Sequence, residues 1–455
     1  MRRGGAWYCS AMQREEFLSG WGRYPVRAAQ LRESPDLAAI TADANLSRGL
    51  GRAYGDAAVA ARSDDVVAGT RSATRVLDLD THAGVLRVEA GISLEALHDL
   101  LWPLGWSCPV LPGTQYVTAG GMVAADVHGK NHHVSGSFGH HVRALRVRTA
   151  AGDILDIDRE REPDLFRATI GGMGLTCHIL EVEVQLERIE SSWIAQETEC
   201  VGGLDELLVR LAAAGDKWPM TVTWADGLAG GEAIGRGVVI KGRWADASDL
   251  PSREWRRGPR VTMPVMMPGW TPRSALVRLL NVAYYHRHRA TAGRSVVPPL
   301  PFFHPLDVVR SWNRFYGRRG FTQYQCVLPG RDVSEAAHGV FDILRRRNAP
   351  SLLTVIKDFG VAGEGLLSFP MPGVTLSLDL PIRMPDTARV VSMLNALVAE
   401  AGGRIYLAKD ALTSADDFRR MEGERLDRFN AVRDRWDPER RLRSGLSVRL
   451  LGDPE

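Results

Sequence analysis

Lysine is rare in this chain. Only five of its 57 basic residues are lysines, at positions 130, 217, 241, 357 and 409, and all the others are arginines. A lysine offers a compact ammonium group whose pKa burial can tune, which the guanidinium group of arginine does not. Their scarcity therefore makes Lys130, Lys357 and Lys409 candidates for chemistry. The alternative, that any one of them is present by chance, has equal weight.

Two glycine-rich segments have the composition of a ligand-binding backbone. The first, SRGLGRAYGDA at residues 47–57, spaces its glycines as GxGxxxG and not as the GxGxxG of a Rossmann turn, and no helix start follows it. The second, PGTQYVTAGGMVAADVHGKNHH at residues 112–133, combines four glycines with three histidines and one lysine. Each alone is also typical of an ordinary turn. Together they favour two loops whose N–H groups hold a pyrophosphate.

The elements that position these loops are short strands and helices. Strand periodicity occurs in VLDLD, VLRVEAG, RALRVRTAAGDILDID and LEVEVQLERI, and helical spacing in SLEALHDLLWPLG, all between residues 76 and 189. Further on, MTVTW, FTQYQCVL and the paired stretches SLLTVIKDFG and VTLSLDLPI predict a second sheet, with a helix at 334–349. The 455 residues are too many for one core, so we expect an α+β protein of at least two domains.

Composition excludes several classes of function. A net charge of +3 gives no basic surface for nucleic acid. No apolar run of about 18 residues predicts a membrane-spanning helix, and the N-terminus lacks the apolar region of a secretory signal. We therefore expect a cytoplasmic protein with at most peripheral membrane contact. The five cysteines are scattered and the histidines lack an acidic ligand pattern, so we expect neither disulfides nor a metal site.

One segment has two interpretations. SALVRLLNVAYYHRHR at residues 274–289 places Leu276, Leu279, Leu280 and Ala283 on one helical face. This face predicts either a membrane-surface or lid segment, or a surface helix that packs on its own domain. We favour the second, because amphipathic spacing is what any packed surface helix shows.

Several motifs together resemble a known family. The two glycine loops, with TIGGMGLT (169–176), FFHPLD (302–307), QYQ (323–325) and YLAKD (406–410), resemble the vanillyl-alcohol-oxidase-type flavoproteins. Within them the sequence is most similar to the decaprenylphosphoryl-β-D-ribose 2′-oxidases. The similarity runs from about Gly20 to the C-terminus, and VHGKNHH followed by GSFGHHV is specific to that subfamily, whereas residues 195–300 match less well.

The resemblance implies a two-domain PCMH-type fold. Residues 1–189 would form the FAD-binding domain, residues 190–402 a substrate (cap) domain with an antiparallel sheet, and residues 403–455 a segment completing the first domain. It implies non-covalent FAD, because Gly51-Arg52-Ala53-Tyr54 offers no nucleophile where some relatives tether the cofactor. The implied FAD contacts are Ser47, Arg48, Gly49, Leu50, Gly51, Arg52, Ala53, Tyr54, Gly55, Asp56, Ala57, Gly113, Thr118, Ala119, Gly120, Gly121, Ala125, Asp126, Val127, His128, Ile179 and Tyr406.

The resemblance also implies catalytic residues. Lys409 would stabilise the reduced flavin, which is anionic, or contact the substrate hydroxyl. Lys357 and Gln325 would hold sugar or phosphate oxygens, and Gln323 and His128 would line the site. Three substrate-side positions depart from the family, which has cysteine, asparagine and tyrosine where this chain has Ser377, Thr375 and Phe303.

The leading hypothesis is FAD-dependent oxidation of a sugar-like alcohol to a carbonyl by hydride transfer to flavin N5. The 2′-hydroxyl of a polyprenylphosphoryl ribose is one candidate, because of the resemblance. The departures leave open a soluble glycoside, aminocyclitol or nucleoside alcohol from a specialised biosynthetic pathway. A non-catalytic flavin-binding partner protein is the alternative from another class. The resemblance also suggests a short-chain reductase as a partner, which would reduce the carbonyl product and so complete an epimerisation.

Overall fold

Three β-sheets organise the computed structural model, which describes residues 12–252, 255–258, 261–272, 274–330 and 333–454. The first sheet has the order β1–β2–β4–β3; β1 and β2 are antiparallel, and the other pairs are parallel. Because β3 ends at Arg48, this sheet leads directly into the first glycine loop. Its strands are β1 (Met12–Ser19), β2 (Val26–Glu33), β3 (Leu46–Arg48) and β4 (Val66–Gly69).

The second sheet is antiparallel and has the order β5–β6–β10–β8–β9. It confirms the predicted hairpins, and α2 begins at the predicted cap, Ser93. Its strands are β5 (Val76–Asp80), β6 (Val85–Glu89), β8 (Val142–Arg148), β9 (Ile154–Asp158) and β10 (His178–Gln185), with the short pair β7 (Trp106–Ser107) and β11 (Glu187–Arg188). Around it lie α1 (Leu37–Ile40), α2 (Leu94–Leu101), α3 (Ala119–Ala124), α4 (His132–Ser135) and α5 (Pro163–Thr169).

The third sheet is antiparallel, with the order β16–β12–β14–β13–β19–β20–β18–β21. The predicted pairing of SLLTVIKDFG with VTLSLDLPI is confirmed as β19 against β20. Its strands are β12 (Ile194–Val201), β13 (Met220–Ala225), β14 (Gly237–Trp244), β16 (Gly293–Val297), β18 (Phe321–Leu328), β19 (Thr354–Phe359), β20 (Gly373–Pro381) and β21 (Arg404–Ile405). Helices α6 (Leu204–Gly215), α9 (Val333–Arg346) and α10 (Asp386–Glu400) pack against it.

Residue alternation gives the third sheet two different faces. Successive side chains of a strand point to opposite sides, and along β18 the residues Tyr324, Cys326 and Leu328 enter the core under the helices. The intervening Gln323 and Gln325 point to the other side, where they line a cavity. The sheet therefore has one apolar face and one polar face.

The C-terminal segment packs back onto the first glycine loop. It contains α11 (Ala415–Glu422), α12 (Glu424–Trp436) and α13 (Gly445–Leu451). Arg449 on α13 donates to Asp56 and, at 2.8 Å, to Asp410, which links the loop to the last helices. This packing agrees with a C-terminal segment that completes the first domain, although the domain boundaries at 189 and 402 stay a prediction.

The helix predicted at 274–289 is α7 (Ser274–Ala290), which packs beside β12 and β14. It packs with a different face from the one predicted. Leu279 and Leu280 are 65% and 40% exposed, whereas Val277 and Asn281 are buried. The remaining elements are α8 (Pro299–Phe303) and the parallel pair β15 (Val261–Thr262) and β17 (Val309–Arg310). Within the described ranges, no helix is long and apolar enough to span a bilayer.

Candidate active site

A single large cavity joins the two glycine loops to the polar face of the third sheet. Its volume is about 1900 Å³, roughly twice the upper end of the 300–1,000 Å³ that is usual for one small ligand. Its lining includes residues of both loops, residues of β12, β13 and α7, and the side chains of Lys130, Lys357 and Lys409. The space is therefore sufficient for a dinucleotide and a second ligand.

The first loop exposes consecutive backbone donors. From Gly49 to Ala53, no acceptor among the described residues lies within hydrogen-bond distance of the backbone N–H groups, and all five residues line the cavity. Gly51 has φ of +62°, a conformation that glycine adopts without a steric penalty. A run of N–H groups without protein acceptors is suited to bind an anion, and the role in pyrophosphate binding stays a prediction.

Two of the donors predicted in the second loop are already occupied. The N–H groups of Ala119 and Gly120 donate to the carbonyls of Ile92 and Ala90, at 2.9 and 2.8 Å, so they are not available to a pyrophosphate. The loop also provides open space. A Cβ built on Gly113 would have no atom within 4 Å, because the position faces the open cavity.

The polar face of the third sheet brings the predicted catalytic residues together. In the β18–β20 register Gln325 lies opposite Ser377, and in the β19–β20 register Lys357 lies opposite Thr375. Gln323 lies two residues from Gln325 and points to the same side. All five side chains line the cavity.

Three lysines, Lys130, Lys357 and Lys409, face this cavity. Burial lowers the pKa of Lys357 to about 7, and the pKa values of Lys130 and Lys409 to about 8. Among the described residues none of the three forms an ion pair, whereas Lys241 lies 3.0 Å from Glu197. Concentrated and unpaired positive charge of this kind is costly unless an anionic ligand binds there.

A chain of polar contacts joins Lys357 to Thr375 through His128 and Gln325. Thr375 Oγ1 donates to the Cys326 carbonyl at 2.8 Å and accepts from Gln325 Nε2 at 3.1 Å. The same amide nitrogen lies 3.0 Å from His128 Nε2, and His128 Nδ1 lies 3.1 Å from Lys357 Nζ. His128 therefore links Lys357 directly to Gln325.

His128 is the uncharged member of this chain of contacts. Burial and the neighbouring Lys357 hold the pKa of His128 well below its ordinary value. The ring also contacts Phe359 edge-on, at 4.8 Å between centroids. His128 is therefore a neutral, oriented group and not a cation.

Sequence reasoning missed Asp379, a buried carboxyl group whose charge partly opposes the effect of burial on the pKa of Lys409, although the two form no ion pair. It accepts hydrogen bonds from Tyr316 Oη at 2.8 Å and from Gln323 Nε2 at 2.5 Å. Burial raises the pKa of Asp379 to about 6. The signal was present, because Asp379 follows Thr375 and Ser377 at the two-residue spacing of one strand face.

Comparison with known proteins decides the family. Residues 24–158 match the family model described as an FAD binding domain. The chain is 33% identical to the decaprenylphosphoryl-beta-D-ribose oxidase of Mycolicibacterium smegmatis, over 95% of this chain and 97% of the relative. The chain belongs to this family of FAD-dependent oxidoreductases. A Streptomyces coelicolor protein described as uncharacterized, in the mprA 5′ region, is 35% identical over 79% of this chain and all of its own length. Human Delta(24)-sterol reductase is 25% identical over 30% of this chain and 26% of the reductase.

FAD fits the residues present in this oxidase family member. The donors of residues 49–53 suit a pyrophosphate, Gly113 leaves room for a flat ligand, and unpaired ammonium groups suit the anionic reduced flavin. Tyr406 stacks on Phe369 at 4.8 Å and donates to the Ala125 carbonyl at 2.9 Å, which fixes one wall. No described group of three or more His, Cys, Asp or Glu side chains is arranged to hold a metal.

Most of the predicted FAD-contact residues line the cavity: Ser47, Gly49, Leu50, Gly51, Arg52, Ala53, Tyr54, Ala57, Gly113, Thr118, Gly120, Gly121, Ala125, Val127, His128, Ile179 and Tyr406. The remaining predicted residues do not line the cavity: Arg48, Gly55, Asp56, Ala119 and Asp126. Asp126, at φ of +40°, accepts from the Ser137 and Ser368 hydroxyls and from the Gly139 N–H.

The predicted substrate residue Phe303 does not reach the cavity. It is 3% exposed and packs in the core against Trp244, with 5.2 Å between ring centroids. The neighbouring Phe302 lines the cavity, and Lys130 Nζ lies 5.5 Å from its ring centroid. The two phenylalanines point in different directions because they lie on α8, where successive side chains are rotated by about 100°.

Proposed function

We propose that this enzyme oxidises a hydroxyl group of a lipid-linked sugar phosphate, of the polyprenylphosphoryl ribose type, to a carbonyl. The single observation that carries the proposal is the cluster of Lys130, Lys357 and Lys409 around one cavity, where none of the three forms an ion pair with another described residue. One ammonium suits the reduced cofactor. The others suit a phosphoryl group, which a simple sugar lacks.

Apolar residues on the cavity wall support a lipid-linked substrate. Among the lining residues are Val222, Trp224, Ile240, Leu280 and Leu353, alongside polar ones such as Gln196 and Asn281. The apolar part of this lining buries hydrocarbon favourably, at roughly 25 cal/mol for each Å² removed from water. The relative named above supplies the sugar class, because its name gives decaprenylphosphoryl ribose as the compound oxidised.

Each catalytic residue then has a role that its contacts permit. FAD, when bound, accepts the hydride. Lys409 Nζ lies 3.9 Å from the Tyr54 ring centroid and supplies positive charge near the cofactor loops. Lys357, whose Nζ lies 3.1 Å from His128 Nδ1, supplies a basic nitrogen in the chain that leads to Gln325. The Gln325 amide oxygen, which has no hydrogen-bond partner among the described residues, is left to accept from a sugar hydroxyl.

A soluble glycoside, aminocyclitol or nucleoside alcohol is the second candidate. Ser377 and Thr375 favour it, since both line the cavity and both replace larger or softer side chains of the family at the substrate end. A protein that binds FAD without catalysis is disfavoured by the complete set of cavity lysines and glutamines.

The test is anaerobic bleaching of the flavin in the FAD-loaded protein. We expect polyprenylphosphoryl ribose in detergent to bleach it, and ribose phosphate lacking the lipid to bleach it more slowly. Bleaching by neutral soluble glycosides at rates that a prenyl phosphate does not inhibit would establish the second candidate instead. A flavin that no alcohol of either class reduces would contradict both.

A further inference from the structure

The apolar face of helix α7 is not the face that packs against the protein. Val277, Asn281 and Tyr285 face the protein: Asn281 Nδ2 donates to Asp226 at 2.9 Å, and Tyr285 Oη donates to the Val201 carbonyl at 3.3 Å. A surface helix normally turns its apolar stripe inward. Here the inward stripe contains an amide and a phenol.

The apolar stripe of α7 points outward. It consists of Leu276, Leu279, Leu280 and Ala283, and lies about 150° around the helix axis from the packed stripe, at about 100° per residue. Leu279 and Leu280 are 65% and 40% exposed. We call these four residues the α7 face. Nothing in the described residues covers Leu279, which distinguishes this face from an ordinary packed helix.

Further exposed apolar residues surround the opening of the cavity. Leu280, Tyr284 and Val308 all line the cavity, yet they are 40%, 38% and 50% exposed, so they mark its rim. The β15 strand continues this surface, because Val261 pairs with Val309 of β17 and is itself 58% exposed. Such a concentration of large exposed apolar side chains marks an interaction site.

The sequence around α7 is basic. Residues 251–300 contain nine arginines and one acidic residue, although the whole chain has a net charge of only +3. Of the described arginines, Arg257 pairs with Asp99 and Arg294 with Glu197. On α7, Arg278, Arg287 and Arg289 are exposed, and none of them forms an ion pair with a carboxylate of the described residues. An apolar face bordered by basic residues is typical of helices that lie in the interface of an anionic bilayer.

We propose that the α7 face and the rim rest on a bilayer containing anionic phospholipids, so that the cavity opens towards the membrane surface. A second copy of the chain is a poor occupant, because two surfaces with this excess of arginine repel each other. A bilayer complements both features, since its acyl region accepts Leu279 and Leu280 and its headgroups accept the arginines. The docking gives a lipid-linked substrate a direct route into the cavity, and in this respect it rests on the proposed function.

The experiment is flotation of the full-length, FAD-loaded protein with vesicles. We expect binding to vesicles that contain phosphatidylglycerol and weaker binding to vesicles of pure phosphatidylcholine. At high salt, which screens surface charge, binding to the two kinds of vesicle should become equal. Leu279→Ser should weaken binding to both vesicles by about tenfold, because a largely buried leucine contributes roughly that much. Arg287→Gln should weaken binding about fivefold, and only to anionic vesicles.

Matched controls come from elsewhere in the chain. Val209 on α6 is 67% exposed, like Leu279, so Val209→Ser should leave vesicle binding unchanged. Arg428 on α12 is exposed, and Arg428→Gln should also have no effect. Bleaching by a substrate in detergent should be normal in Leu279→Ser, because Leu279 does not line the cavity.

Three outcomes would overturn the docking proposal. The first is that the wild type does not float with the vesicles. The second is that Leu279→Ser and Val209→Ser lose vesicle binding equally. The third is that light scattering shows a dimer which Leu279→Ser dissociates. Docking and the proposed function fail separately. Absent flotation with normal bleaching by the lipid-linked sugar refutes docking alone, whereas normal flotation without any bleaching refutes the proposed function alone.

Discussion

Replacing Gly113 by valine tests where the cofactor lies. Gly113 lines the cavity, and no heavy atom lies within 4 Å of a Cβ built there. The apoprotein should therefore tolerate valine, with a free energy of unfolding within about 0.5 kcal/mol of the wild type, as for other surface substitutions. With FAD bound, the same side chain would occupy cofactor space. Overpacking costs about 1–3 kcal/mol, which corresponds to FAD binding about 5-fold to 150-fold weaker.

The assay is titration of apoprotein with FAD, followed by quenching of flavin fluorescence, together with urea unfolding of each apoprotein. Gly230→Val is the matched control, because Gly230 also has no atom within 4 Å of its Cβ position, lies in extended backbone and does not line the cavity. Equal FAD affinities for Gly113→Val and Gly230→Val would refute the placement of the cofactor against this loop. A destabilised Gly113→Val apoprotein would refute the open geometry itself.

Three further predictions concern the cavity chemistry. Lys409→Met should retain FAD but slow anaerobic flavin reduction about 100-fold or more, the usual effect of losing one electrostatic contact; the exposed control Lys217→Met should be normal, and equal rates in stopped-flow measurements would remove Lys409 from catalysis. Burial lowers the pKa of Lys357 in the folded state to about 7 from 10.5, so the wild-type apoprotein should lose stability as pH falls towards 7. Relative to Lys357→Met, urea unfolding should show a loss of about 1–2 kcal/mol between about pH 9 and pH 7, and a constant difference would contradict the shift. Acid precipitation should release the flavin into the supernatant; colour in the pellet would show a covalent bond.

The family resemblance made much of the site predictable. It gave Gln323, Gln325, Thr375 and Ser377 as site residues, and the scarcity of lysine independently selected Lys357. The two-residue repeat of a strand agrees with these assignments, because residues two apart point to the same side of their own strand. That both strands present these residues to one face depends on the register, in which Gln325 lies opposite Ser377 and Lys357 opposite Thr375.

Long-range contacts account for what the sequence did not predict. The second loop contains small residues, but whether its N–H groups are available depends on Ala90 and Ile92, which belong to another part of the fold. Whether Phe302 or Phe303 faces the cavity depends on how α8 is rotated against its neighbours. The α7 face was recognised as apolar, yet its exposure depends on Asn281 finding Asp226, a pairing across 55 residues.

The most direct test of the central claim is a crystal structure of the protein with FAD. We predict density for the pyrophosphate against the N–H groups of residues 49–53, with the isoalloxazine ring between Gly113 and Lys409. Density for FAD outside this cavity, or a pyrophosphate held by residues 119–121 instead, would contradict the account.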